Sequence, residues 1–178
     1  MRLTGSLVLP SPASICLAAG CLLLTVHSIR GEDNESDTYD GPWISSLVWV
    51  GNDQLIGCSS QGLLLRPAQI VKANADTLDQ LETIGEAETS LWRVVHSIDG
   101  QIIASDYKGG IHIFEGDSAD KIESDTRWIR GLAFPPSEDE LLVGTEDGKL
   151  LLLSIGDRSV EKSVQVHDGA IFDIALSP

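Results

Sequence analysis

Basic residues are in short supply: 12 Lys and Arg stand against 27 Asp and Glu, for a formal charge of −15. Such a surface repels phosphate backbones, and no basic stripe or aromatic–basic interleaving offsets it, so nucleic acid is excluded as an expected partner. Cysteine is scarce as well: Cys16, Cys21 and Cys58. The first two fall in an N-terminal apolar segment, and without that segment Cys58 has no partner for an intrachain disulfide. Following Ile56-Gly57 in an expected strand, Cys58 should be a buried, inert thiol. No apolar run is long enough to cross a bilayer comfortably, the N-terminal one, Ile15–Val26, being only twelve residues. Catalytic signatures are missing too: there is no P-loop, G-x-G-x-x-G or G-x-S-x-G. His96, His112 and His167 show no metal-ligand spacing, and no facing carboxylate pair can be assigned. No metal or cofactor is implied, and an enzyme is not expected.

What is present divides into three parts. Residues 1–28 have the form of a signal peptide, with Arg2 at the start, the apolar run in the middle and Val26-His27-Ser28 before a cleavage point after Ser28. An uncleaved anchor is the alternative. Ala18-Ala19-Gly20-Cys21 also resembles a bacterial lipobox, although Leu22-Leu23-Leu24 is a poor start for a mature lipoprotein. Membrane association is expected only in those two cases, and the localisation expected is secreted, periplasmic or otherwise extracytoplasmic. Residues 29–42 read as an acidic linker. A calcium loop counted from Asp33 would need glycine where Thr38 stands, so its acids are solvated rather than ligating. Asn34-Glu35-Ser36 is a glycosylation sequon.

From Trp43 onward the chain repeats. Residues 128–155 hold three short apolar runs, Ile129–Phe134, Leu141–Val143 and Leu150–Leu153, separated by Pro135-Pro136-Ser137-Glu138-Asp139 and by Glu146-Asp147-Gly148-Lys149. Runs this short between turn residues read as strands, and Asp147-Gly148 is a strong hairpin signal. LLV and LLLL do not alternate with polar residues, which predicts strands buried on both faces. Similar units begin at Trp43 and Ser90, and a fourth begins at Ala170. Ile44, Leu91, Ile129 and Ile171 fall in register, at intervals of about 40 residues, the period of propeller arrays.

His167-Asp168-Gly169-Ala170-Ile171-Phe172-Asp173-Ile174-Ala175-Leu176-Ser177-Pro178 resembles the opening of a WD repeat; Val94–Gly100 and Gly144–Leu150 resemble further parts of it. The resemblance covers about residues 43–178. It implies an all-β, partial WD-repeat-like propeller: blades at about 43–84, 91–124 and 128–164, and the first strand of a fourth at 170–178. Blade one would use Ile44–Val50, Gln54–Cys58 and Leu63–Arg66, with an outer strand near Gln80–Ile84; a capped helical turn at Thr77–Gln80 is the alternative there. Blade two would use Leu91–Ser97, Gln101–Ser105, Ile111–Phe114 and Lys121–Ser124. Blade three would end with Val160–Val164.

The resemblance also implies a polar network in each blade, and here the sequence departs from the family. The loop-histidine position reads Asp40, Ala87, Asp125 and His167; the turn-aspartate position reads Gln61, Lys108 and Asp147. No copy has the full set, so apolar packing is expected to hold the blades. His167 and Asp147 are the candidate structural polar residues. His112 and Asp106 could approach each other, but a packing or solvent-facing His112 is the expectation.

Partner contacts in the family often come from one rim. Carried over by position, the candidates are Ser45, Trp92, Arg130 and Phe172 after the first anchor of each inner strand, and Ser60, Tyr107 and Glu146 before the b–c turn aspartate. Trp92, Arg130, Phe172, Tyr107 and Glu146 are the binding candidates, the aromatics and arginine being of the types enriched at hot spots. The function expected is a non-catalytic protein-binding scaffold exported from the cytoplasm. The alternatives are an extracytoplasmic quinoprotein-like enzyme or a truncated gene product. Three blades and a strand make no ring, so further blades in cis or from another chain are expected.

Overall fold

The computed structural model describes residues 41–61, 66–78, 81–116, 118–135, 137 and 139–177. The expected signal peptide, Cys16, Cys21, the sequon and nearly all of the acidic linker lie outside these. Among the described residues no helix is long and apolar enough to cross a membrane.

The described chain is all-β, with twelve strands in three four-stranded antiparallel sheets. The first sheet contains β1 (Trp43–Val50), β2 (Gln54–Ser60), β3 (Ala68–Asn74) and β4 (Glu82–Ala87). The second contains β5 (Leu91–His96), β6 (Ile102–Asp106), β7 (Gly110–Glu115) and β8 (Ser118–Glu123). The third contains β9 (Gly131–Ala133), β10 (Glu140–Gly144), β11 (Lys149–Ser154) and β12 (Ser159–Gln165). Each sheet pairs its strands in chain order. The three sheets do not close into a ring, as a partial propeller requires.

Turn chemistry sets these registers. Ser97 Oγ accepts the Gln101 amide at 3.0 Å, and Gly100 supplies φ +92° to turn β5 into β6. Thr145 Oγ1 accepts the Lys149 amide at 2.9 Å between β10 and β11, and Gly148 adopts φ +80° there, as the Asp147-Gly148 pair predicts.

Two apolar layers hold the sheets together. Between the first and second lie Ile56, Cys58, Ala68, Ile70, Leu91, Val94, Ala104 and Phe114. Between the second and third lie Ile103, Ile111, Ile113, Ile129, Leu132, Leu141, Val143, Leu151 and Leu153. Ile103 and Ala104 are neighbours in sequence but enter opposite layers, as do Ile113 and Phe114, because a strand's side chains alternate between faces. The middle sheet is therefore buried on both sides. Burying each large aliphatic contributes roughly 1.5–3 kcal/mol.

The first sheet differs from expectation at its third strand. Of the expected Leu63–Arg66, Leu63–Leu65 lie outside the described residues and Arg66 is exposed and unpaired as strand; β3 is Ala68–Asn74. Its Ala68 and Ile70 are buried in the layer against the second sheet and Gln69 between them is exposed, the alternation of a strand packed mainly on one face. The helical turn at Thr77–Gln80 is replaced over its described part by a tight turn. Asn74 Oδ1 accepts the amides of Asp76 at 2.9 Å and Thr77 at 3.3 Å. The outer strand β4 then runs a few residues later than Gln80–Ile84.

The third sheet's inner strand is shorter than Ile129–Phe134. Residues 128–130 stand outside it, leaving Gly131–Ala133. Residues 170–177 add no paired strand, yet they pack on this sheet. Ile171 is buried, its amide donates to the Thr145 carbonyl at 3.0 Å, and a Cβ on Gly144 would lie 2.5 Å from Ile171.

Candidate binding rim

One end of the sheets carries the starts of the inner strands and the turns after β6 and β10. At this end β5 carries a bulge between Leu91 and Arg93, on which Trp92 sits, and β1 has the matching irregularity between Ile44 and Ser46. A bulge inserts an unpaired residue and re-aims its side chain. In the first sheet that residue is Ser45, which turns inward. Its hydroxyl donates to the Leu91 carbonyl at 2.8 Å, tying the first sheet to the second. Ser60, paired with Trp43 at the end of β2, is buried as well. In the second sheet the residue is Trp92, and it faces the rim.

Around Trp92 the structure assembles a stack from distant parts of the chain. Its ring lies 5.5 Å from that of Tyr107, which follows β6, and Tyr107 lies 5.2 Å from Trp128. The Arg130 guanidinium sits 4.5 Å from the Trp92 ring centre, 4.8 Å from Phe172 and 5.5 Å from Trp128. Each is a cation–π distance. Trp92, Tyr107, Arg130 and Phe172 thus converge on one point. Glu146 is exposed on the turn after β10 and enters none of these ring contacts.

Trp128 was not among the rim candidates. Its signal is the three-residue stretch Trp128-Ile129-Arg130: with Ile129 fully buried, its two neighbours are turned outward. Trp128 also takes φ +53°, a left-handed backbone that costs a bulky residue about 1–3 kcal/mol. The Arg93–Asp173 ion pair, between β5 and the segment carrying Phe172, helps hold that ring over Arg130.

His167 and Asp147 lie apart from this stack. Asp147 accepts the Thr145 hydroxyl at 2.5 Å and pairs with Lys149 at 2.5 Å, and its carboxyl is held below the usual range by those two contacts, Lys149 first. His167 is exposed and meets the turn through its backbone, its amide donating to the Gly148 carbonyl at 3.2 Å.

The expectation that apolar packing alone holds the blades fails in the second sheet. Asp106, fully buried at the end of β6, accepts the amides of Lys108 at 2.8 Å and Gly110 at 2.7 Å. His112 Nε2 lies 2.9 Å from its other oxygen, and Lys121 of β8 3.3 Å away. Burial alone would raise this carboxyl. The His112 hydrogen bond, the Gly110 amide and the charges of His112 and Lys121 outweigh it and hold the group far below the usual range. Position-by-position transfer placed the acid at Lys108 and so missed a network built from Asp106 two residues earlier. The readable signal was an Asp opening a Gly109-Gly110 turn, with His112 two residues past the second glycine. Cys58 is buried, and burial pushes its thiol up to about 12.

No carboxylate, thiol or imidazole belongs to the rim stack, and no cluster of three metal-ligating side chains occurs among the described residues. A cleft of about 240 Å³ lies at the opposite end, lined by Asp99, Glu115, Asp139 and Arg158 among others.

Comparison with known proteins places the fold. No family model and no curated protein matches the chain. Among solved structures, the β-propeller domain of Myceliophteria thermophila Cps50 (Swd1) superposes with a TM-score of 0.60 at 16% identity, over 76% of this chain and 46% of that one. The fold is that of a β-propeller, in part. Two computationally designed proteins are similar as well, each at TM-score 0.59, 12% identity and 76% of this chain. They are Ika8, of which 41% is covered, and Ika4, of which 80% is covered. The chain spans less than half the length of the Ika8 and Swd1 chains.

Proposed function

We propose that this chain is a WD-repeat-type propeller segment acting as a non-catalytic, protein-binding scaffold outside the cytoplasm, and that it contacts its partner through the Trp92–Tyr107–Trp128–Arg130–Phe172 stack. The observation that carries this reading is the convergence of Trp92, Tyr107, Arg130 and Phe172, from β5, the turn after β6, the stretch before β9 and the 170–177 segment, into one continuous set of ring contacts. Aromatic and arginine side chains dominate binding energy where they cluster. A stack of rings and a guanidinium suits contact better than proton transfer, which favours a scaffold over an enzyme.

Further blades, in cis or from another chain, would cover the outward faces of the first and third sheets. Trp49 on the former is 62% exposed, and Val164, paired with Leu150 on the latter, is 54% exposed. The export reading is supported by the form of residues 1–28 alone.

The test is a pull-down from the host's extracytoplasmic fraction with the full chain. Trp92→Ala and Arg130→Ala, checked by circular dichroism for an unchanged fold, should each remove proteins the unaltered chain retains. Identical retained sets would sink the scaffold reading of this rim.

A further inference from the structure

Arg130 is held by the faces of Trp92, Phe172 and Trp128. Among the described residues its guanidinium pairs with no carboxylate, although the chain carries far more acids than bases. A guanidinium has two flat faces, so at most two of the three rings stack on it, and no hydrogen bond from it occurs among the described residues. The N–H bonds lie in its plane and are left for an acceptor, in the fork geometry that fits two carboxylate oxygens at once. The same stack holds a second unanswered donor: Trp92 Nε1 is closed to solvent and has no hydrogen-bond partner. An unmet buried donor is unfavourable and is met when an acceptor arrives. The left-handed backbone at Trp128 is a third unfavourable feature on the same few residues. A positive group with free in-plane donors, an unmet indole N–H and a strained wall describe a receptor whose missing component is an anionic oxygen pair.

On the reading of the rim given above, we infer that Arg130 is the receptor for an acidic side chain of a partner peptide, the carboxylate seated in the guanidinium fork and the flanking residues lying on Trp128 and Phe172. Phe172 is 62% exposed and Trp128 37%, so both offer open ring surface to such a peptide. Trp92 Nε1 reaches an acceptor only if the rings shift, so binding is accompanied by a change in Trp92 fluorescence.

The test uses the full chain and two dye-labelled peptides, one with a single Glu flanked by Gly and Ser, the other with Gln in its place, because a longer acidic run would be repelled by a chain of formal charge −15. Fluorescence anisotropy reads binding, and intrinsic tryptophan emission reads the stack. The acidic peptide should bind and the amide peptide should bind at least about tenfold more weakly, since the charge-assisted pairing is lost. Arg130→Gln should weaken the acidic peptide by about tenfold or more, and Arg130→Lys by less, because lysine keeps the charge without the fork. Should Arg130→Gln alter the circular dichroism spectrum, the lysine variant and the two-peptide comparison still decide. Equal binding of both peptides would overturn the acidic assignment and leave the rim as a peptide site. No binding of either peptide would also overturn it, the rim itself being judged by the pull-down. Displacement of the acidic peptide by an equal concentration of acetate would assign the site to free anions and overturn the peptide.

Discussion

Asp106 shows how much one buried group can decide. It has no solvent contact, two backbone amides on one oxygen, and His112 and Lys121 on the other. Removing it strands a buried histidine and two backbone amides together, while Lys121 keeps Glu123 at 2.9 Å. Asp106→Ala should therefore destabilise the chain by about 3 kcal/mol, read from urea midpoints at pH 7. The pH dependence has a definite sign. A carboxyl whose folded pKa lies below its unfolded value of about 3.9 contributes stability above that value and loses it as pH falls towards the folded one. The stability gap between the unaltered chain and Asp106→Asn should shrink as pH falls below about 4. A gap independent of pH would refute the ionised-carboxylate account. Cys58 has the opposite sign. Its thiol is pushed up to about 12 by burial, so its contribution is present at neutral pH and is lost as pH rises from about 8.5, the unfolded value, towards 12. At pH 7 a thiol reagent should label Cys58 only after urea unfolds the chain.

At the level of the element, strands bounded by Gly and Asp turns were legible, and strands bounded by little else were not. The second and third sheets follow from solid apolar runs and from Asp99-Gly100 and Asp147-Gly148, whose turns force the register. In the first sheet the solid run Leu63–Leu65 drew the strand assignment away from Ala68–Asn74, whose single buried face shows only as alternation around Ile70. That Trp92, Tyr107, Arg130 and Phe172 come together in space was legible from their equivalent places in the repeats, whereas Trp128 needed the backbone bend that no residue type announces. The segment 170–177 tests how elements support the site. A Cβ on Gly144 would lie 2.5 Å from Ile171, and one on Gly131 would lie 2.9 Å from Ile174. Gly144→Ala should therefore lift this segment and take Phe172 from Arg130. We expect faster proteolysis within 166–177 and several-fold weaker binding at the rim, with the three sheets intact by circular dichroism. Unchanged protease sensitivity would mean the segment is not held by this contact.

On the scale of the whole molecule, the two apolar layers make an array in which each sheet leans only on its neighbours. Stability in such arrays is a sum of unit and interface contributions. The middle sheet lies between two apolar layers and each outer sheet against one, the third having only the 170–177 segment on its other side, so the amides of β6 and β7 should exchange with solvent most slowly. Those of β12, exposed along its whole length, should exchange fastest. The interfaces can be weakened one at a time. Ile70 is fully buried in the layer between the first and second sheets, and Ile103 in the layer between the second and third. Each change to alanine should cost about 2–5 kcal/mol. If coupling passes only through neighbours, Ile70→Ala should speed exchange most in β1–β4 and Ile103→Ala most in β9–β12. Both should speed β5–β8, because that sheet loses one of its two supports in either variant. Equal acceleration of all three sheets by both variants would show that the array unfolds as one unit and that nearest-neighbour coupling does not describe it.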